Sequence, residues 1–259
     1  MSSQDKMLSL LDVFSVEHPV WSTDELIAHT GLPPSTCYRY IKSLHDAGLL
    51  ARVGSGSYVI GPRVLAMDRI SRSSDPVYRV GTPVIRRLTE TTGFSSLLSV
   101  LYSDSVMCVQ QEAAKPVPEG LFGRGQQRPL FAGATANIIL AYLPTHQLKS
   151  VWTRHSSAIT STGLGDDWDA FRANLRVFQN QGYALSLGEY RPGIAGIAAP
   201  LFNRDRAVLG SIAIATSTRS RRLKEFKAAV DEVMAAAAEI STGISTAADA
   251  VDLPARAMG

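Results

Sequence analysis

The stretch WSTDELIAHTGLPPSTCYRYIKSLHDAGLL, residues 21–50, leaves the chain little choice of local structure. Ser22 stands three residues before Glu25, the pairing in which each side chain bonds the other's backbone N–H and opens a helix. Trp21 can pack on Leu26 as a hydrophobic staple across that start. Gly31 supplies the left-handed residue that ends a helix. A short helix over 23–30 is expected. Pro34 fits the first turn of a further helix, where its missing N–H costs nothing. On that helix Cys37, Ile41, Leu44 and Gly48 share one face, while Ser35, Arg39, Lys42 and Ser43 share the opposite one. Tyr38 and Tyr40 flank the apolar stripe.

Two helices separated by a few residues around a glycine form a helix-turn-helix. Upstream, residues 4–16 carry Met7, Leu8, Leu10, Leu11 and Phe14 at helical spacing, and His18-Pro19 stops them. Downstream, LLARV and SYVIG read as two short strands around a glycine turn. Three helices and a β-hairpin over 1–62 make a winged helix-turn-helix. Such a helix buries Cys37, Ile41 and Leu44 so that its other side can lie in a major groove. Ser35 and Thr36, at the positive end of the helix dipole, suit a phosphate oxygen. Arg39 and Lys42 suit phosphate or guanine, and Tyr38 and Ser43 belong to the same candidate surface. Ser22 and Thr23, opening the preceding helix, complete the DNA-contacting set together with Arg52 on the hairpin, which suits the neighbouring backbone or minor groove.

For any single basic residue, a solvated helix face is the simpler explanation. What weighs against it is the order of the capping box, the glycine stop, the double proline and the glycine hairpin. A winged helix devoted to protein–protein contacts is the other alternative. The net charge of +3 is too mild to argue for nucleic acid by itself. Residues 1–75 hold seven Lys/Arg against eight Asp/Glu, yet between Pro33 and Arg63 only Asp46 opposes Arg39, Lys42, Arg52 and Arg63. The positive charge is local.

A 45% hydrophobic content allows each domain a core. No run approaches the roughly 18 apolar residues that cross a bilayer. The start, MSSQDKMLSLLDVF, lacks the basic opening and longer apolar stretch of a signal peptide, so a cytoplasmic protein is expected. Cys37 and Cys108 sit in no CxxC frame and read as reduced packing residues.

Residues 63–74, RVLAMDRISRSS, place Val64, Leu65, Met67 and Ile70 on one side of a connecting helix, and a linker over 63–76 is expected. Asp75-Pro76 breaks it. A domain over 77–246 follows. It opens with a helix carrying Val77, Val80, Val84, Ile85 and Leu88 and ending at Thr92-Gly93. Hairpins are expected over 94–113 and 194–217, and helices near 134–142, 147–155, 169–181 and 223–240. Between them lies a Pro/Gly loop over 115–129, and residues 247–259 read as a fraying tail. Hairpins interleaved with helices mean an antiparallel sheet with helical layers, an α+β domain.

This second domain carries no recognisable catalytic constellation. His146 and His155 fit neither HxxxH nor HExxH, GxSxG is absent, and GLFGRG lacks the strand–helix context of a nucleotide loop. Asp166, Asp167 and Asp169 precede a helix, where carboxylates favour the dipole. Neither enzyme chemistry, a metal nor a cofactor is expected. A ligand-processing domain tethered to DNA is the lesser alternative. A mostly apolar small-molecule site fits better. The glycine-rich loop leading into Arg128, Pro129, Leu130 and Phe131 would line one side of it, and Glu189, Tyr190 and Arg191 another.

The chain resembles the IclR family of bacterial transcriptional regulators. The matching residues are Leu32, Pro33, Ser35, Thr36, Tyr38, Arg39, Gly48 and Leu49. Further matches are YVIGPRVLAM, RPLFAGATANIILAYLP and GYALSLGEYRPGIAGIAAPLF, so the resemblance spans nearly the whole sequence. It implies a DNA-binding domain that dimerises on a palindromic operator, a linker helix, and an effector-binding domain of GAF-like fold. Assembly as a homodimer or dimer of dimers is implied too. Carried over position by position, it points to Leu130, Phe131, Ala132 and Gly133, to Glu189, and to Ser211, Ala213 and Ala215 as effector contacts. Where family members often read Pro-Leu-His-x-Thr-Ala-x-Gly-Lys, this chain has Phe131, Gly133, Ala136 and Asn137. Ala213 and Ala215 replace small hydroxyl residues. Fewer polar anchors and one added ring predict a larger or aromatic acid-like effector, not a short oxoacid; the alternative is that Phe131 is simply a core residue.

Overall fold

A computed structural model describes residues 2–188 and 191–250 and divides the chain into two units, Met1–Ser74 and Asp75–Gly259. The first runs α1 (Ser3–Leu8), a 3₁₀ turn (Ser9–Leu11), β1 (Trp21–Ser22), α2 (Thr23–Thr30), α3 (Pro34–Asp46), β2 (Leu50–Val53), β3 (Ser57–Ile60) and α4 (Arg63–Ser74). The strands form an antiparallel sheet in the order β1-β3-β2. Its core gathers Leu10, Trp21, Leu26, Cys37, Ile41, Leu44 and Leu50.

The local signals act where they stand. Ser22 Oγ accepts from the Glu25 backbone N–H while the Glu25 carboxylate accepts from the Ser22 N–H, and Gly31 ends α2 at φ 64°. Pro34 occupies the first turn of α3. One expectation fails: the helix expected over 4–16 stops at Leu8 and tightens into the 3₁₀ turn. Leu10 is drawn fully into the core, and β-branched Val13 and Val16 do little to prolong a helix that has no glycine cap. Apolar spacing recorded burial there, not helical backbone. At Gly61, between hairpin and α4, a Cβ would collide with the carbonyl of Gly48.

The second unit opens with α5 (Pro76–Thr92), capped by the Asp75 carboxylate on the N–H groups of Val77 and Tyr78 and closed by Gly93 at φ 71°. The hairpin β4 (Ser95–Tyr102) and β5 (Ser105–Glu112) follows, then β6 (Gln127–Pro129). Next come α6 (Gly133–Ala141), α7 (Thr145–Ser161), α8 (Trp168–Gln181) and β7 (Ala184–Ser186). A second hairpin, β8 (Ile194–Phe202) and β9 (Val208–Ser217), leads into α9 (Leu223–Ala228) and α10 (Val230–Ala250). The single helix expected over 223–240 is thus broken at Ala229 and extended beyond 240. Asp167 caps α8 by accepting from the Ala170 N–H.

The strands make one antiparallel sheet, β6-β5-β4-β9-β8-β7, in which the two hairpins meet along β4 and β9. Alternation along the strands splits the side chains between two apolar layers. Leu97, Ala198, Ala213 and Ala215 pack with α6, α7 and α8 on one face. Leu98, Ile197, Ile212 and Ile214 pack with α5, α9 and α10 on the other. This is a helix-covered α+β domain of GAF-like build.

Candidate nucleic-acid interface and ligand cleft

On α3 the apolar stripe is sealed and the opposite side is open. Cys37, Ile41 and Leu44 are at most 2% exposed, whereas Ser35, Tyr38, Arg39, Lys42 and Ser43 are exposed and Thr36 is half-buried. Tyr40, which flanks the stripe, turns inward and its hydroxyl meets Ser3 Oγ at 2.7 Å. No side chain caps the N-terminus of α3, so the positive end of its dipole is left for an outside acceptor.

The exposed groups are not equally available. Arg39 is exposed, with Cζ 5.5 Å from the Tyr40 ring centroid, a loose cation–π contact. Lys42 Nζ is already held by Asp46 Oδ2 at 2.6 Å, and that hydrogen bond keeps the Asp46 carboxyl below the usual carboxylate range. Ser43 Oγ donates to the Arg39 carbonyl. Arg52, on β2 opposite Tyr58, is exposed.

Ser22 and Thr23 are engaged internally. Ser22 closes the capping box, and its backbone N–H bond holds the Glu25 carboxyl low. Thr23 is buried; its N–H and Oγ1 both donate to the Gly56 carbonyl, at 3.1 and 3.3 Å. The pair fastens α2 to the tip of the hairpin.

In the second unit, the first turn of α6 faces a cleft. Gly133, Ala134 and Thr135 line it, with Leu97, Ala213 and Ala215 as the apolar floor and Leu121, Phe122 and Ile194 around it. No side chain caps α6, whose N-cap is Ala132. Thr135 is 5% exposed, and its Oγ1 has no hydrogen-bond partner among the described residues, although its carbonyl accepts from Ser211 Oγ at 3.0 Å. Two cations reach the same cleft. Arg128 lies with Cζ 4.2 Å from the Phe122 ring centroid. Arg191 rests its guanidinium on Gly120, a left-handed glycine at φ 71° where a Cβ would collide with it. Open helix N–H groups, a hydroxyl and guanidinium groups over an apolar floor form an acceptor for a carboxylate.

Of the residues carried over for the effector, Gly133, Ala213 and Ala215 are on this cleft. Leu130 and Phe131 are buried in the apolar layer shared with α6, the Phe131 ring 5.5 Å from that of His155, and Ala132 is fully buried at the N-cap of α6. Ser211 is fully buried behind the wall and acts on Thr135 through its hydrogen bond. Glu189 and Tyr190 lie outside the described residues, as does most of the expected tail. Sequence reasoning missed Leu97, Thr135 and Phe122. Phe122 comes from the Pro/Gly loop, yet it is 1% exposed. Its only signal was an aromatic residue inside a run of loop formers.

Among the described residues, no group of His, Cys, Asp and Glu is arranged to hold a metal, and no helix is long and apolar enough to cross a membrane. Both cysteines are buried thiols; burial pushes Cys108 up to about 12.

Comparison with known proteins agrees with both halves. The profile described as the IclR helix-turn-helix domain matches residues 3–54, and that of the bacterial transcriptional regulator IclR C-terminal domain matches residues 71–242. The chain is 26% identical to the HTH-type transcriptional regulator KipR of Bacillus subtilis over 210 residues, 81% of this chain and 84% of KipR. It is also 26% identical to the regulator BhcR of Paracoccus denitrificans over 248 residues, 95% of this chain and 88% of BhcR. Among solved structures, an IclR transcriptional regulator from Silicibacter sp. TM1040 superposes with a TM-score of 0.79 at 26% identity, covering 94% of this chain and 96% of that one. An IclR homolog from Microbacterium hydrocarbonoxydans, complexed with 4-hydroxybenzoate, has the same fold, with a TM-score of 0.78 at 20% identity, covering 94% and 99%. With two matched domains in their expected order across most of its length, the chain belongs to the IclR family of bacterial transcriptional regulators.

Proposed function

We propose that the protein binds a palindromic operator as a homodimer and that a small organic acid in the α6 cleft modulates its DNA affinity. The observation that carries the DNA half is α3 itself: a sealed apolar stripe backs an exposed face of Ser35, Tyr38, Arg39 and Lys42. In this reading Ser35 and Thr36 take phosphate at the open helix end, Arg39 and Tyr38 meet base edges, and Arg52 follows the neighbouring backbone. Ser22 and Thr23 contribute by fixing the hairpin, since both of their backbone N–H groups are already engaged, with Glu25 and with Gly56. A dimer requires half-sites about one helical turn apart, or a multiple of that.

The ligand half rests on the uncapped α6 start, the unpartnered Thr135 hydroxyl, Arg128 and Arg191. These suit a carboxylate, and the apolar floor suits a ring or chain behind it. The 4-hydroxybenzoate bound by the Microbacterium relative is an acid of that kind. Bound acid would favour one state of the protein and so shift its operator affinity, through the segment 63–76 that joins the units. In this reading the protein is not an enzyme and acts in the cytoplasm as a regulator of transcription.

The test is an electrophoretic mobility shift with DNA from upstream of the gene, with and without aromatic and short aliphatic acids. Specific retardation changed by an aromatic acid supports the reading. Retardation that no acid alters removes the ligand half, and no retardation at all removes the DNA half.

A further inference from the structure

The α6 cleft is nearly full. Its free volume is about 30 Å³, room for about one water, whereas ligand sites usually offer roughly 300–1,000 Å³. A second cleft, where β4 begins and β9 ends, has the missing space, about 390 Å³. The two share Ala215 of β9, and register explains why they adjoin. Ser95 pairs with Ala215 on adjacent strands, and Leu97, two residues along β4 on the same face, lines the first cleft. Residues 114–119 roof the second cleft and lead directly to Leu121 and Phe122, which wall the first.

The second cleft is cationic. Lys115 and Arg219 are exposed on its wall, and neither side chain has a partner among the described residues. Arg222 also lines it but is committed: it bonds Glu225 at 2.7 Å and the Thr92 carbonyl at 3.0 Å, and stacks 4.6 Å over Phe94. Among the described residues, Glu119 is the one carboxylate on the wall. Between the two ends lies apolar surface, Ala215 shared by both clefts and Phe94 on the side of the second. An anion acceptor therefore lies on each side of an apolar saddle.

We propose that the two clefts are halves of one site, and that it takes an elongated acid with a second anionic group, one end at the α6 N-terminus and the other at Lys115 and Arg219. This rests on the reading of the α6 cleft as the effector site. The second anion explains why two unpaired cations stand beside a ligand-sized space, which an uncharged tail would leave unanswered.

The test uses the full-length protein and isothermal titration with matched pairs: benzoate against terephthalate, and hexanoate against adipate. The diacid of at least one pair should bind about tenfold more tightly, the combined yield of two partly exposed ion pairs. In the Lys115→Ala, Arg219→Ala double variant, the ratio of the two dissociation constants should fall to about one. Equal binding of both members of each pair by the native protein overturns the proposal and leaves the acid-effector reading standing. A variant that weakens both members alike overturns it too. Binding of neither class overturns the effector reading, and this inference with it. Circular dichroism of the double variant separates lost recognition from lost folding.

Discussion

Lys42 and Asp46 form an ion pair, 2.6 Å apart, along the exposed side of α3. The helix thus neutralises one of its two cations with its own carboxylate, one turn on. Phosphate must compete with Asp46 for Lys42, while Arg39 has no such rival. Asp46→Asn is therefore expected to tighten DNA binding for operator and unrelated duplex alike. The salt dependence should steepen by up to about one ion, because a freed Lys42 adds about one phosphate contact. Titration at several salt concentrations checks it; weaker binding by this variant would mean that Asp46 itself reads a base.

Arg39→Ala separates two roles for the remaining cation. If Arg39 reads a guanine, the loss should be about 1–3 kcal/mol and confined to the operator. If it holds phosphate, operator and random DNA should lose equally, and the salt slope should fall by about one. Unchanged affinity for both would remove Arg39 from the interface.

The Ser22–Glu25 box gives the first unit an acid-sensitive fastening. Replacing Ser22 by Ala should cost about 1 kcal/mol, the usual worth of an N-cap. Because the Ser22 N–H holds the Glu25 carboxyl below its ordinary value, the folded state binds this proton less readily than the unfolded chain does. That contribution is present above the unfolded carboxylate range and is lost as pH falls through the lowered folded value. Melting curves from pH 7 to pH 3 should show the native protein losing more stability than Glu25→Gln, which has no carboxyl to protonate, over the acid limb; parallel curves would contradict the assignment.

What the sequence discloses here follows from how far each signal reaches. Ser22, Glu25, Gly31 and Pro34 act within one turn of helix, so the bounds of α2 and the start of α3 were readable residue by residue. The exposed face of α3 was readable for the same reason. Periodicity along the first helix marked Leu10 as buried but not the change to a 3₁₀ turn, which tertiary packing decides. The cleft was the least legible part. It exists because β4 of one hairpin meets β9 of the other, and because Phe122 folds back from a loop more than 90 residues earlier than Ala215. Position carried over from relatives found Gly133, Ala213 and Ala215 on the cleft, but not that Leu130, Phe131 and Ala132 are buried away from its lining. The hydrogen bond that fixes Lys42 also needed side-chain geometry, although its i, i+4 spacing was in plain view.

Cys108 should be silent to thiol reagents in the folded protein. Reaction goes through the thiolate, and a thiol pushed up to about 12 is ionised in about one molecule in ten thousand at pH 8. Cys37 is equally buried. A colorimetric disulfide reagent should find neither thiol in native buffer and both in guanidinium. Since the folded thiol resists ionisation, stability is complete below the ordinary thiol range and declines as pH rises above it. Rapid reaction of one thiol at pH 8 would show that its layer opens under native conditions.

Thr135 sets stability against recognition. Its Oγ1 is buried without a hydrogen-bond partner among the described residues, a group that costs about 1–3 kcal/mol when stripped of water. Valine has nearly the same shape and removes the stranded oxygen. Thr135→Val is therefore expected to stabilise the free protein by about 1 kcal/mol, which for a unit of this size raises its melting temperature by roughly 2–4 °C. The same change removes a hydroxyl placed beside the open N–H groups of α6, where a carboxylate would give it a partner. Acids that bind should then stabilise the variant less than the native protein. The two effects carry opposite signs, which a purely structural role for Thr135 would not produce. Thermal melts of both proteins, each with and without 4-hydroxybenzoate or terephthalate, measure them together. A variant that is less stable alone, or that gains as much from the acid, would place the Thr135 hydroxyl outside the recognition of ligand.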